Sequence, residues 1–440
     1  MQRQNLISTR TRKRAQRLWL QYGVFWLGAI AVGLIAVLYA RLADWSYALF
    51  MWGRGHNPLL PLLMTPAICA GCVWLTLRYC RGAEGSGIPQ AIASLEGPPG
   101  IARGLMTMRI LIGKVLVSLM GLMGGLTIGR EGPTIHMGAA LMYNLRVFYP
   151  KHFRARRGQV LEQRLILAGS AAGLSAAFNA PLAGIVFVLE ELTHSFEFRK
   201  SGVITTAIVF AGIVSLGIQG DYTYFGTLNI GAQAPATLAL SVILIGIIAG
   251  LAGGIFCWLL LHTDRWMPSR LHGLRLNRPV AFAGACGLLV AVLGVLSSGH
   301  TFGSGYTEAR AMIDGDATVS VLYPLMKMAS LMGSYLSGIP GGLFAPCLAI
   351  GAGIGNTLHA AFSELPLPML ISLGMVAYLA AVTQSPITAF VIVTEMTSGH
   401  ELVIPLLATA LIATRFSKLF APPLYEALSK RYFAGRTQRA

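Results

Sequence analysis

The sequence predicts an all-α polytopic membrane protein made of two inverted halves, and three observations carry that prediction. Long apolar runs hold no charged residue, positive charges gather in a few clusters, and one set of motifs occurs twice in the same order.

The charge-free runs come first. Of 440 residues, 55% are hydrophobic and only 12% are Asp, Glu, Lys or Arg, so charge must be segregated from apolar sequence. Residues 18–40, 55–77, 222–263, 279–307, 328–363 and 365–394 contain none of the four charged types. Each is long enough for a hydrocarbon core that takes roughly 20 helical residues. The first run follows "RTRKRAQR" and continues to Ala40. It exceeds a typical signal core and lacks a small-residue cleavage site, so it reads as a retained first helix.

A net charge of +17 raises the question of nucleic acid. The distribution answers it, because Lys and Arg cluster in the first 17 residues, around 146–164, at Arg199–Lys200, at 265–278 and after Arg415. That is the pattern of cytoplasmic loops under the positive-inside rule, and no nucleic-acid partner is expected. The six cysteines are scattered, and "CAGC" (Cys69 to Cys72) lies in an apolar run with no second pair or nearby His. These read as small buried helix residues, with no metal site.

The repeat is the third observation. "GSGIPQA" at 85–91 recurs as "GSGYTEA" at 303–309, and "GPTIHMG" at 132–138 recurs in outline as "APCLAIG" at 345–351. "GSAAGLSAAFNAPLAGIVFVLE" at 169–190 aligns without a gap with "GMVAYLAAVTQSPITAFVIVTE" at 374–395. Arg199 and Lys200 follow Glu190 closely, whereas no Lys or Arg follows Glu395 before Arg415. One copy therefore ends on the cytoplasmic side and the other outside, which makes the repeat inverted. The expected organisation is a basic N-terminal tail 1–17, a first transmembrane half 18–220, a second, inverted half 221–428, and a basic C-terminal tail 429–440, with both tails cytoplasmic.

Five landmarks share one shape: an irregular or Gly-rich tetrad, then Pro, then an apolar helical run. They are "GSGIP", "GREGP", "FNAP", "GGLFAP" and "TQSP". Proline in the first turn starts a helix, so these helices begin within the membrane. Irregular backbone at that depth persists only where it lines a cavity or is buried in protein. Converging helix N-termini offer unpaired N–H groups and partial positive charge, which together make an anion site. Ser86 adds a hydroxyl donor. The bland alternative for any one of these motifs is a helix-packing contact.

Two carboxylate positions stand out. Glu131 in "GREGP" lies at such a helix start inside an apolar tract, where ionisable groups are functional by default. At an anion site a carboxylate either competes with the anion or accepts a proton; the plain alternative is an ion pair with Arg130. Glu190–Glu191 closes the run "PLAGIVFVL" near the cytoplasmic side, as a proton donor or acceptor feeding Glu131 or as a solvated helix end. An intramembrane enzyme finds no support. No two of the nine His have the spacing H-E-x-x-H, and no Ser sits in a G-x-S-x-G elbow. His136, His194, His359 and His400 read as helix-end or packing residues.

On "GSGIP" (85–89), "GREGP" (129–133), "AAFNAPLAGIVFVLEE" (176–191) and "GGLFAP" (341–346), the sequence resembles the CLC family of chloride channels and chloride/proton exchangers. The resemblance runs from about residue 20 to 428. It implies the CLC-type inverted-repeat fold with many tilted and broken helices, a homodimer with one pore per subunit, and an inner-membrane location of bacterial type. It further implies a central chloride held by the hydroxyls of Ser86 and Tyr425 and the backbone N–H groups of Leu343 and Phe344, with Gly87 and Ile88 at the same helix start. Glu131 is then the gating glutamate and Glu191 the internal proton-transfer glutamate. Tyr425 rests on "PLY" alone.

The implied activity is chloride/proton antiport, with bromide and nitrate tolerated; Ser86 sets it apart from nitrate-selective relatives with "GPGIP", and the intact motifs from fluoride-selective ones. A passive chloride channel of the same fold is the alternative. Cofactors are expected to be none beyond the transported chloride ions. Gln90 departs from the Glu that many relatives carry there, and with the sequence stopping at Ala440 the paired regulatory domains found on some relatives are not expected.

Overall fold

A computed structural model of the chain describes residues 19–149, 151–193, 202–220, 225, 235–315, 319–397 and 399–437. The basic tail 1–17, His194, Arg199 and Lys200 lie outside the described residues.

The first half contains α1 (Val24–His56), α2 (Pro61–Tyr79), α3 (Ile88–Glu96), α4 (Met108–Met123), α5 (Glu131–Asn144), α6 (Lys151–Phe178), α7 (Pro181–Phe187) and α8 (Gly202–Gln219). The second contains α9 (Pro235–Leu261), α10 (Pro279–Leu296), α11 (Tyr306–Ile313), α12 (Tyr323–Leu336), α13 (Phe344–Leu358), α14 (Leu367–Thr383), α15 (Pro386–Thr397) and α16 (Val403–Ser417), followed by a terminal α17 (Leu424–Thr437). Shorter helices lie in the connections, among them Ile101–Leu105 and, between α9 and α10, Ser269–Asn277, and the described residues form no strand beyond two isolated bridges.

Among the described residues, only α1, α2, α8, α9 and α10 are long and apolar enough to cross a membrane as single helices. The apolar run 328–363 is split between α12 and α13, and 365–394 between α14 and α15. Local chemistry explains both breaks. Gly338 takes φ 87° just before Pro340 and a glycine pair, while Gln384 takes φ 59° ahead of Pro386. At 384–386 the left-handed residue ends one helix and the proline starts the next; at 338–340 the pair keeps α12 from continuing, and α13 begins at Phe344 beyond the glycine pair.

Packing repeats between the halves. α5 lies on α6 as α13 lies on α14, and α1 lies on α8 as α9 lies on α16. The closest crossings fall at glycines: a Cβ on Gly169 would strike the Gly138 carbonyl, and one on Gly374 would strike the Gly351 carbonyl. The halves join where α2 meets α10 and where α7 meets α15. The centre is filled by α5, α13 and α14, whose residues are almost all buried.

Cys69, Cys72, Cys257, Cys286 and Cys347 are buried and free, Cys80 is half-buried and free, and the described residues hold no metal-ligating cluster.

Candidate anion and proton site

Three irregular segments meet in the protein's centre. The Gly85 N–H donates to the Ile339 carbonyl at 3.2 Å, and the Gly341 N–H to the Gly85 carbonyl at 3.3 Å. Gly129 and Gly342 exchange both backbone bonds, at 2.8 and 2.7 Å. This lacing aims the N-termini of α3, α5 and α13 at one another. Their first N–H groups have no intrahelical partner, so positive potential converges there.

Glycine is required at Gly87, the N-cap of α3, which holds φ 105°. A Cβ there would also lie 2.7 Å from the His136 Cβ and 2.9 Å from the Gly132 carbonyl oxygen. Ile88 follows as a fully buried first helical residue. Ser86 is buried and its hydroxyl has no protein hydrogen bond. Tyr425, on α17, is buried with an equally unpartnered hydroxyl beside that of Ser86. Leu343 caps α13 and Phe344 begins it, both buried. The Phe344 ring lies 5.9 Å from Tyr425, 6.1 Å from Phe178 and 6.4 Å from Phe187.

Glu131 opens α5 and is 1% exposed. Its carboxylate curls back toward its own N–H and that of Ala345, and neither oxygen makes a well-formed hydrogen bond. A Cβ on Gly129 would land on that carboxylate. The ion pair with Arg130 does not form: Arg130 turns instead to Asp44 at 2.6 Å and the Ala40 carbonyl at 3.1 Å. A buried carboxylate thus occupies the positive ends of α5 and α13 without a salt bridge among the described residues.

The second carboxylate pair lies in one wide π turn, Val188–Leu192, that continues α7. Its two members have different surroundings. Glu190 accepts from the N–H groups of Ile387 (3.1 Å) and Thr388 (2.6 Å) at the start of α15. Glu191 is buried and accepts from the Ser385 hydroxyl. A solvated helix end is therefore excluded for Glu191. Phe187, one turn earlier, packs edge-on against Phe344, which in turn meets Tyr425.

Gln90 donates to the carbonyls of Gly82 and Glu84, which braces the loop without an ion pair. The residue missed by sequence reasoning is Lys114 on α4. Fully buried, it donates to the Gly85 carbonyl at 3.1 Å, behind the Ser86 turn. Its signal was a lone charge inside the tract counted as apolar. His136 is a packing residue, hydrogen-bonded at 3.0 Å to the Leu105 carbonyl.

Residues 67–418 match the family model described as voltage gated chloride channel. The chain belongs to this family, the CLC family. Among solved structures, a CLC-type fluoride/proton antiporter matches with a TM-score of 0.78 at 21% identity, over 93% of this chain and 98% of that one. A slow cyanobacterial Cl-/H+ antiporter matches at 0.75 and 24%, over 94% and 99%. A eukaryotic CLC transporter matches at 0.72 and 22%, over 92% and 74%. The CLC inverted-repeat fold, with its tilted and broken helices, is thereby established for this chain, as is its place among multi-pass membrane proteins that carry chloride as transporters or channels.

Proposed function

We propose that this CLC protein is a chloride/proton antiporter in which chloride and the Glu131 side chain take turns at one site. The observation that carries the reading is the buried, unpartnered Glu131 carboxylate at the N-termini of α5 and α13. Deprotonated, it is an anion lodged where an anion would be held. Protonated, it loses that attraction and yields the place, so each chloride step is tied to a proton. Chloride is coordinated by the Ser86 and Tyr425 hydroxyls and by backbone N–H groups at Gly87, Ile88, Leu343 and Phe344. Serine at 86 suits chloride, with bromide and nitrate as secondary anions. Glu191 is the inner proton station, and its burial supports that role. Two of the similar solved structures are described as proton antiporters, one for fluoride and one for chloride, which supports coupling. No cofactor is needed, and the protein is not an enzyme.

The working form is a homodimer with one pore per subunit. The contiguous helices α8, α7, α15 and α16 present Ile213, Leu182, Ile387 and Ile404 outward, a long apolar face for a second copy. The proposed location is a bacterial-type inner membrane with both termini cytoplasmic.

The test is reconstitution in liposomes under an outward chloride gradient, with chloride efflux and external pH recorded together. Antiport predicts proton uptake with chloride release, lost in Glu131→Ala and in Glu191→Ala while anion flux survives. Chloride flux without proton movement in the wild type overturns antiport in favour of a passive channel.

A further inference from the structure

The inverted repeat supplies an internal control for the inner carboxylates. Glu190 caps the start of α15 through Ile387 and Thr388, and its counterpart Glu395 caps the start of α7 through Leu182 (3.1 Å) and Ala183 (2.7 Å). Each half thus caps a helix of the other. The fold uses this device twice, which marks it as structural.

Ser385 and Glu191 break the symmetry. In the gapless alignment of 169–190 with 374–395, Ser385 faces Ala180, and the residue after each capping glutamate is Glu191 in one half and Met396 in the other. The second helix start does without hydroxyl and carboxylate, so the fold does not require them. A serine directly before a helix ordinarily accepts a hydrogen bond from an N–H of the first turn. Here Glu190 has taken the Thr388 N–H, and the Ser385 hydroxyl is released to donate to Glu191.

We propose that Ser385 is a positioning residue for proton transfer: its hydroxyl fixes the Glu191 carboxylate in the orientation from which protons pass toward Glu131. The proposal rests on the reading of Glu191 as the inner proton station. Glu190 contributes by occupying the N–H groups that would otherwise claim the serine. Ser385 keeps its own proton throughout; it holds the carboxylate still in a site where a misplaced acceptor slows transfer.

The test compares wild type, Ser385→Ala, Ser385→Thr and Glu191→Gln in liposomes, measuring protons moved per chloride. Ser385→Ala should keep chloride flux near wild type and lower proton movement about tenfold, the scale of one hydrogen bond to a charged group. Ser385→Thr, which retains the hydroxyl, should restore the ratio. A wild-type ratio in Ser385→Ala beside abolished proton movement in Glu191→Gln overturns the role of Ser385 and leaves Glu191 standing. Unchanged coupling in Glu191→Gln overturns both. Loss of chloride flux in Ser385→Ala, or failure of Thr to rescue, makes the serine a packing residue and overturns the proposal.

Discussion

The turn Gly85-Ser86-Gly87 and its counterpart Gly303-Ser304-Gly305 share a backbone and differ in nearly everything that carries charge. Gly87 and Gly305 take φ 105° and 82° and cap α3 and α11. Each turn has a buried lysine behind it. Lys327 is fully engaged, donating to the carbonyls of Thr301, Phe302 and Gly303 at 3.0, 3.0 and 3.1 Å, whereas Lys114 meets only the Gly85 carbonyl. The Ser304 hydroxyl accepts from the Tyr306 N–H at 3.4 Å, while that of Ser86 has no protein partner. The helix facing the first turn begins with Glu131, and the equivalent helix α13 begins with Phe344. Duplication provided the frame twice, and the hydroxyl of the turn was left without a protein hydrogen bond in the first copy.

That contrast can be broken most forcefully at Glu131. Glu131→Gln removes the titrating group and should abolish proton movement in the vesicle assay while anion flux continues; retained coupling would dissolve the distinction between the copies. Next come the lysines. Lys327→Met leaves three buried carbonyls without their donor and should destabilise the protein by about 3 kcal/mol or more, against about 1 kcal/mol for Lys114→Met. Thermal unfolding in detergent measures the difference, and equal losses would contradict it. Gly87→Ala and Gly305→Ala should each cost about 1–2 kcal/mol for the left-handed backbone alone. Anion flux should fall further than stability explains only in Gly87→Ala. The smallest effect is at the serines: Ser86→Ala should weaken chloride binding about tenfold by calorimetry, the order of one hydrogen bond to an ion, and Ser304→Ala should leave it unchanged.

Much of the site was legible because its parts are helix starts. "GSGIP", "GREGP" and "GGLFAP" mark irregular backbone followed by proline, and the structure brings those three segments together through Gly85, Gly129, Gly341 and Gly342. What stayed hidden depends on side-chain partners far apart in sequence. Nothing in "VLEEL" tells which glutamate caps a helix and which is buried, because the answer lies in Ser385, Ile387 and Thr388 of the other half. Lys114 and Lys327 were visible as isolated charges, yet their carbonyl partners are supplied by turns 24 to 29 residues away. In the apolar run 328–363 the new helix start was legible from "GGLFAP", whereas the glycine at 338 did not announce itself as a left-handed stop.

The glycine crossings at Gly138–Gly169 and Gly351–Gly374 have a consequence for timing. Where backbones touch, a helix cannot slide without a collision of carbonyl groups, so α5 and α13 are locked to α6 and α14 as rigid slabs. Helix shifts take microseconds to milliseconds, while side-chain rotations are complete in picoseconds to nanoseconds. With the slabs fixed, the proposed antiport would leave the Glu131 carboxylate, turning on its own torsions, as the moving part nearest the anion, and the pace of turnover would pass to the arrival of protons and anions.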